Sequence, residues 1–239
     1  MQPKMPHIDL SGKPIVYEWI HGNSENSYPL FSLPGIMGMM EVFFPGLAEF
    51  ADEKLPAWPE SSAPWSILSY DESGLLAQMG ELLSEEGSVF IHPTATIGDF
   101  VEIEGPCYIG PGAEIRNSAY LRKGAWICSG ALVGHSSEVK NSILLPDSKA
   151  PHFNYVGDSI IGIGANLGAG VKLSNVRNDR REILVTMDDG ERVETGLRKM
   201  GAIIGDGCQL GCNAVTNPGA LLMPGTMINP NVTVSGWNS

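Results

Sequence analysis

The sequence predicts an all-β chain wound as a left-handed parallel β-helix on a hexapeptide repeat, with a small N-terminal α+β or irregular cap and a helix leading into the first coil. Two observations carry that expectation. Aliphatic residues recur every six positions at Ile91, Ile97, Ile103, Ile109, Ile115, Leu121, Ile127, Val133, Val139 and Leu145. A ladder of mostly small residues runs two positions ahead, at Ala95, Val101, Cys107, Ala113, Ala119, Ala125 and Ala131. Both resume at Ile204, Leu210, Thr216, Leu222, Ile228 and Val234, preceded by Ala202, Cys208, Ala214, Ala220, Thr226 and Val232. A period of six is too long for a helix face of about 3.6 residues per turn. No type I′ turn signal separates the units, so paired hairpins do not fit either. A short strand and a tight corner do fit, repeated three times in a triangular coil of roughly 18 residues. The aliphatic residue then points to the prism axis, and glycine and proline fill corners such as Gly110-Pro111-Gly112.

The elements follow in order. Residues 1–65 are rich in Pro, Trp, Phe and Met without a period, and read as a cap or an oligomer arm. Residues 66–83 read as one amphipathic helix in a linking segment, 66–88. The prism then occupies 89–239, with excursions at 146–155 and 176–201. The second contains a hairpin over 182–196, turning at Asp188-Asp189-Gly190. Loops leaving a regular solenoid are where function concentrates.

The formal net charge is −12, and residues 1–88 hold thirteen acidic and three basic side chains. Such a chain has no general attraction for nucleic acid or an anionic membrane, so a bound phosphate needs a local basic cluster. Cys107, Cys128, Cys208 and Cys212 form no CxxC pair and read as reduced packing thiols. Met1–Leu10 lacks a secretory pattern, and Pro34, Glu41, Pro45 and Glu49 interrupt the apolar stretch 31–50. A cytoplasmic protein is expected.

The excursion at 146–155 holds Lys149, His152 and Tyr155. A lone histidine is commonly structural or merely exposed. This one follows Lys140 and precedes Asn166 on a rigid scaffold, and coil arithmetic lets Arg122, Lys140 and His152 gather at one edge. A base beside two cations suits an anionic substrate with a group to be deprotonated. His92, His135 and His152 lack the close pair a three-histidine metal site needs, so no metal is expected. Gly162-Ile163-Gly164 and Gly168-Ala169-Gly170 have no strand–helix context and read as corner glycines.

Leu121-Arg122-Lys123-Gly124-Ala125, Glu138-Val139-Lys140 and the run Ser148-Lys149-Ala150-Pro151-His152-Phe153-Asn154-Tyr155-Val156-Gly157-Asp158 resemble a known family. It is the acetyltransferase domain of the bacterial bifunctional glucosamine-1-phosphate acetyltransferase/N-acetylglucosamine-1-phosphate uridylyltransferase. The likeness continues through Ala165-Asn166-Leu167-Gly168-Ala169-Gly170 to Asn175. Thr195-Gly196-Leu197-Arg198-Lys199-Met200-Gly201 is more similar to the archaeal bifunctional sugar-1-phosphate nucleotidylyltransferases. The resemblance implies an acetyl-CoA-dependent N-acetyltransferase acting on an amino-sugar 1-phosphate, glucosamine 1-phosphate first, assembled as a homotrimer with sites shared between neighbours; acylation of another sugar or a nucleotide-linked amino sugar, and a non-catalytic sugar-phosphate-binding scaffold, stay open as alternatives. It implies His152 as general base and Asn175 as the residue orienting amine and acyl group. Arg122, Lys140 and Lys199 would hold the phosphate with Tyr155 assisting, and Asn166 would contact the sugar. Ala169 and Cys212 would line the acetyl-CoA groove. The chain departs from the family at Cys212, where a serine is usual, and at Val176, where the bacterial enzyme has tyrosine. Residues 1–65 carry no Gly-rich nucleotide loop, so no nucleotidylyltransferase activity is expected.

Overall fold

A computed structural model of the protein describes residues 38–58, 63–83 and 88–239. From Val89 the chain is a left-handed parallel β-helix whose three faces are parallel sheets. The first face runs from Val89–Ile91 to Trp237–Asn238, the second from Thr96–Ile97 to Met227–Ile228, and the third from Glu102–Ile103 to Thr233–Val234. The early coils keep the 18-residue register, with Ile91 under Ile109, Ile97 under Ile115 and Ile103 under Leu121. Both sequence ladders fill the prism: Ile109, Ile115, Leu121, Ile127, Val133 and Val139 are buried along its axis, with Ala113, Ala119, Ala125 and Ala131 between them.

Two expectations about the middle coils need correction. Leu145 does not continue the inward ladder. Leu144 does, stacked on Ile127 seventeen residues earlier, while Leu145 packs outside the prism. The next coil is short too, with Ile161 over Leu144. Residues 146–155 are therefore no excursion: Lys149–His152 is a strand of the second face and Tyr155–Gly157 a strand of the third. The six-residue phase slips by one after Val139, which from sequence alone imitates a broken ladder. Residues 176–201 leave the prism, carrying the antiparallel strands Leu184–Thr186 and Arg192–Glu194.

Where coils are short, the small-residue ladder turns polar at Ser137, Ser142, Asn154 and Ser159, all buried. Their side chains complete the backbone pairing at tightened corners. The Ser142 hydroxyl accepts the Ser159 N–H at 3.0 Å, and Ser159 in turn accepts the Ala202 N–H at 3.0 Å. Leaving such buried amides unpaired would cost about 1–3 kcal/mol each.

The segment expected as an end cap lies, in its described part, along the outer side of the first face. That side carries Tyr108, Trp126, Ile143, Ile160, Ile203 and Leu221, and Phe43, Trp65, Ile67, Leu68, Leu75 and Met79 cover it in a second core. Side-chain anchors pin this strap. Asp206 accepts the Gly46 and Ile163 N–H groups at 2.8 Å each, and the Trp126 indole donates to the Lys54 carbonyl at 3.0 Å. Glu53 receives both the N–H and hydroxyl of Ser129. The expected single helix at 66–83 is two pieces, a 3-10 turn at Pro64–Leu68 and an α-helix at Leu75–Leu82. Asp71 separates them by capturing the N–H and hydroxyl of Ser73, a side-chain turn that competes with helix. Residues 1–37 lie outside the described residues. Among the described residues no helix is long and apolar enough to cross a membrane.

Candidate active site

Faces three and one meet at a corner where Gly124, Asn141, Asp158, Gly219 and Gly236 all have positive φ. Asn141 (φ 44°) and Asp158 (φ 47°) are the side-chain-bearing members, types that tolerate the left-handed region better than most. Asp158 is fully buried, an unusual state for a carboxylate. Its charge is compensated by converging donors. Oδ1 accepts the Tyr70 hydroxyl at 2.6 Å and the Asn141 amide at 3.0 Å, while Oδ2 accepts the Lys140 ammonium at 3.1 Å and the Asn175 amide.

This buried carboxylate organises most of the residues expected to bind a phosphate. Lys140 stacks on Gly157 and donates to the Tyr70 hydroxyl as well as to Asp158. Burial lowers the Lys140 pKa below the ordinary lysine value, Asp158 opposes that shift, and Lys199 and Arg122 reinforce it. Arg122, one coil earlier, forms a 2.8 Å ion pair with Glu138. Tyr155 lies between these groups and its pKa is raised, mainly by burial and next by Asp158. Gly157 leaves the room: a Cβ there would sit 2.7 Å from both the Asn175 amide nitrogen and the Tyr155 hydroxyl. Lys199 arrives from the 176–201 excursion, its ammonium 5.8 Å from the Tyr70 ring centroid. Glu138 and Asp158 pair with Arg122 and Lys140, Glu104 also acts on Arg122, and Lys199 forms no ion pair among the described residues.

His152 is elsewhere. It ends its strand at the corner between the second and third faces, in register with His135 one coil earlier. The expectation that it gathers with Arg122 and Lys140 fails because the short coil makes 149–152 part of the second face. From His152 to Gly157, which stacks on Lys140, is a span of roughly 15 Å at strand rise, and the Lys140 ammonium is directed toward Tyr70 and Asp158. Asn154 builds the turn after His152: its side-chain oxygen accepts the His152 N–H at 2.9 Å, and its amide donates to the Gly168 carbonyl at 2.8 Å. Phe153 between them has φ 53° and is exposed, a strained conformation for a bulky residue. The imidazole of His152 is exposed and makes no hydrogen bond to a described residue.

The expected acyl-CoA residues accompany His152. Gly170 donates its N–H to the His152 carbonyl, and Asn213, next to Cys212, donates to the Ala169 carbonyl at 2.8 Å. Cys212 is exposed, while Cys107, Cys128 and Cys208 are buried and free. Burial pushes the Cys107 thiol up to about 12. Asn166 lies on the second face between Lys149 and Gln209. The chain therefore carries two groups of candidate residues: His152, Ala169 and Cys212 at the corner of the second and third faces, with Asn166 on the second face, and Arg122, Lys140, Tyr155, Asn175 and Lys199 about the corner of the third and first. Asn175, expected to orient the amine and acyl group, belongs to the second group. Val176 lines a groove beside it with Ser174, Asn217 and Pro218. Among the described residues, no three His, Cys, Asp or Glu side chains are grouped to hold a metal ion.

Sequence reasoning missed Asp158, Glu138 and Tyr70. The first two stood inside recognised motifs without a role. Tyr70 gave no signal, because nothing in sequence connects the segment before the prism to this corner.

The fold defines a hexapeptide-repeat left-handed β-helix. Residues 103–211 match the family described as the GMPPB C-terminal domain. The chain is 35% identical over 189 residues to a bifunctional sugar-1-phosphate nucleotidylyltransferase/acetyltransferase of Sulfurisphaera tokodaii, covering 73% of this chain and 47% of that protein. It is 36% identical over 184 residues to the bifunctional protein GlmU of Methanococcus maripaludis, covering 74% of this chain and 44% of that one. A solved acetyltransferase domain of PglB from Neisseria gonorrhoeae is 16% identical over 68% of this chain and 58% of its own, with a TM-score of 0.34. Over its β-helix the chain is similar to these GlmU-type bifunctional proteins, and it spans about half the length of the curated relatives it matches.

Proposed function

We propose that the chain is an acetyl-CoA-dependent N-acetyltransferase acting on an amino-sugar 1-phosphate, with glucosamine 1-phosphate the foremost candidate. The observation that carries the reading is the cation-bearing corner around Asp158 on the same coils as an exposed His152 whose imidazole has no hydrogen-bond partner among the described residues. Arg122, Lys140 and Lys199 fix the phosphate, and charge-assisted contacts of this kind are the strong class of hydrogen bond. Neutral His152 takes the proton as the amine nitrogen attacks the acetyl carbonyl carbon. The carbon–sulfur bond then breaks, and the coenzyme A thiolate leaves with the proton returned by the imidazolium. Ala169 and Cys212 border the acyl-CoA path beside that histidine. Uridylyl transfer is no part of the proposal.

The separation of the two groups favours a homotrimer, in which the His152 edge of one chain faces the Arg122–Lys140–Lys199 edge of the next. The first face is already covered by the strap, which leaves the other two for subunit contact. A closed ring of three such contacts joins every half-site to its complement.

The test is His152→Asn. Asparagine keeps polarity but accepts no proton from an amine, and loss of a general base costs about 10²–10⁴-fold in rate. Thiol release from acetyl-CoA is followed with a panel of amino-sugar phosphates, alongside light scattering. The expected result is lost turnover with unchanged mass and coenzyme A binding. A variant as fast as the wild type, or a wild type inactive on the whole panel, would overturn the catalytic reading.

A further inference from the structure

The strap contributes a side chain to the phosphate corner. Tyr70 stands between the 3-10 turn at Pro64–Leu68 and the helix at Leu75–Leu82, on chain that belongs to no coil. Its backbone neighbourhood is fixed to the prism, since the Asn141 amide donates to the Leu68 carbonyl at 3.0 Å. Its hydroxyl accepts from the Lys140 ammonium and donates to Asp158 at 2.6 Å. The ring is just over half exposed, at 52%. The ammonium groups of Lys140 and Lys199 lie 5.2 and 5.8 Å from its centroid.

The Lys140 ammonium meets Tyr70 end-on at its hydroxyl, while that of Lys199 lies within cation–π reach of the ring. The two ammonium groups repel each other, and an anion placed between them completes the arrangement. The hydroxyl acts on Lys140 as well. Tyr70 and Asn141 donate to Oδ1 and Asn175 to Oδ2, so neutral donors supply much of what the buried carboxylate needs. Lys140 has three N–H donors. One reaches Tyr70, and one N–H bridging both Asp158 oxygens, at 3.2 and 3.1 Å, leaves the third for a ligand. Burial and the Asp158 acceptor both raise the Tyr70 pKa, so the phenol stays a neutral donor.

We infer that Tyr70 is a positioning residue of the sugar-phosphate site, holding Lys140 and Lys199 as a two-ammonium clamp for the phosphate. The β-helix alone then makes an incomplete site, and the segment before it is part of the substrate machinery. The inference rests on the proposed reading of this corner as the phosphate pocket.

The experiment is Tyr70→Phe in the full chain, which keeps the ring and removes the hydroxyl. Kinetics with glucosamine 1-phosphate and acetyl-CoA are measured beside inorganic phosphate binding, followed through the side-chain NMR signals of Lys140 and Lys199. One charge-assisted hydrogen bond corresponds to about a tenfold change. The expected result is a KM for the sugar phosphate and a Kd for inorganic phosphate each raised about tenfold, with kcat and the KM for acetyl-CoA within twofold of wild type. Tyr70→Leu, which removes the ring too, weakens phosphate further. If wild type acetylates none of the sugars yet binds phosphate in a Tyr70-dependent way, the N-acetyltransferase reading falls and the clamp stands. If turnover is normal and Tyr70→Phe leaves both phosphate measures unchanged, the clamp is refuted and the enzyme reading survives. Equal changes in both substrates, with a lowered Tm, would reduce Tyr70 to a folding contact and also refute it.

Discussion

Replacing Asp158 by Asn tests the hub of the candidate site. The substitution preserves size and suits the positive φ of the corner, so backbone strain is not added. It removes the negative charge facing Lys140, whose side chain is only 15% exposed. It also replaces one acceptor oxygen by a donor amide. If Oδ1 keeps Tyr70 and Asn141, the new amide nitrogen confronts the Asn175 amide and the Lys140 ammonium, donor against donor. Breaking one side of a buried ion pair costs about 3–5 kcal/mol, and an orphaned donor adds about 1–3 kcal/mol. Lys140 already has a depressed pKa and can shed its proton in the variant, which holds the net loss to about 3 kcal/mol. Urea unfolding at neutral pH, fitted with a common slope, reads that loss directly. Asp158→Asn should also raise the KM for a phosphorylated amino sugar, because the amide of Asn175 and the Tyr70–Lys140 pair lose their anchor. A loss below about 1 kcal/mol with unchanged KM would refute Asp158 as the organiser of this corner.

Other outcomes follow from the same geometry. Trp126 is 2% exposed beneath the strap and donates to the Lys54 carbonyl; Trp126→Ala should cost about 3–5 kcal/mol and open the 38–58 segment to protease, and a Tm within a degree of wild type would contradict that. Lys140 titrates below the ordinary lysine value of about 10.4. Its ammonium is therefore lost on the alkaline side sooner than that of an ordinary lysine. The KM for the sugar phosphate should climb as pH is raised toward 10, and Lys140→Arg, which does not deprotonate there, should abolish that climb.

The prism was legible because its signal is additive: inward aliphatics recur in phase, and each coil needs only its neighbours. The middle coils were misread at Leu145 because a one-residue deletion shifts every later position, and Leu144-Leu145 offers two equally apolar candidates for one inward slot. That slip turned a regular strand, Lys149–His152, into a supposed loop and placed His152 beside Lys140. Arg122, Lys140 and Asn175 did converge, since residues one coil apart stack whatever the loop between them does, and Lys199 joins them from the return of the excursion. The strap was illegible. Its apolar residues follow the shape of the first face, with Phe43 edge-on to Trp237 and Trp126 under Lys54, so they show no period of their own.

The departures from regular winding explain where the chemistry sits. The coil shortens by a residue after Val139 and again after Val156, and the 176–201 excursion leaves after Leu173. All three events fall at the passage from the third face to the first, at successive levels of one corner. The regular turns at this corner use glycine, as at Gly124 and Gly219. The shortened turns place Asn141 and Asp158 there instead, and buried serines restore the backbone pairing lost with the missing residue. The excursion then returns Lys199 and Met200 to the same level, the Met200 N–H bonding to the Asn175 carbonyl. The strap reaches this corner from outside with Tyr70. Local irregularity of a solenoid is costly unless something offsets it, and here each irregular turn supplies one member of a single charge network. That coincidence, more than any individual residue, marks the corner as the place this β-helix is built to use.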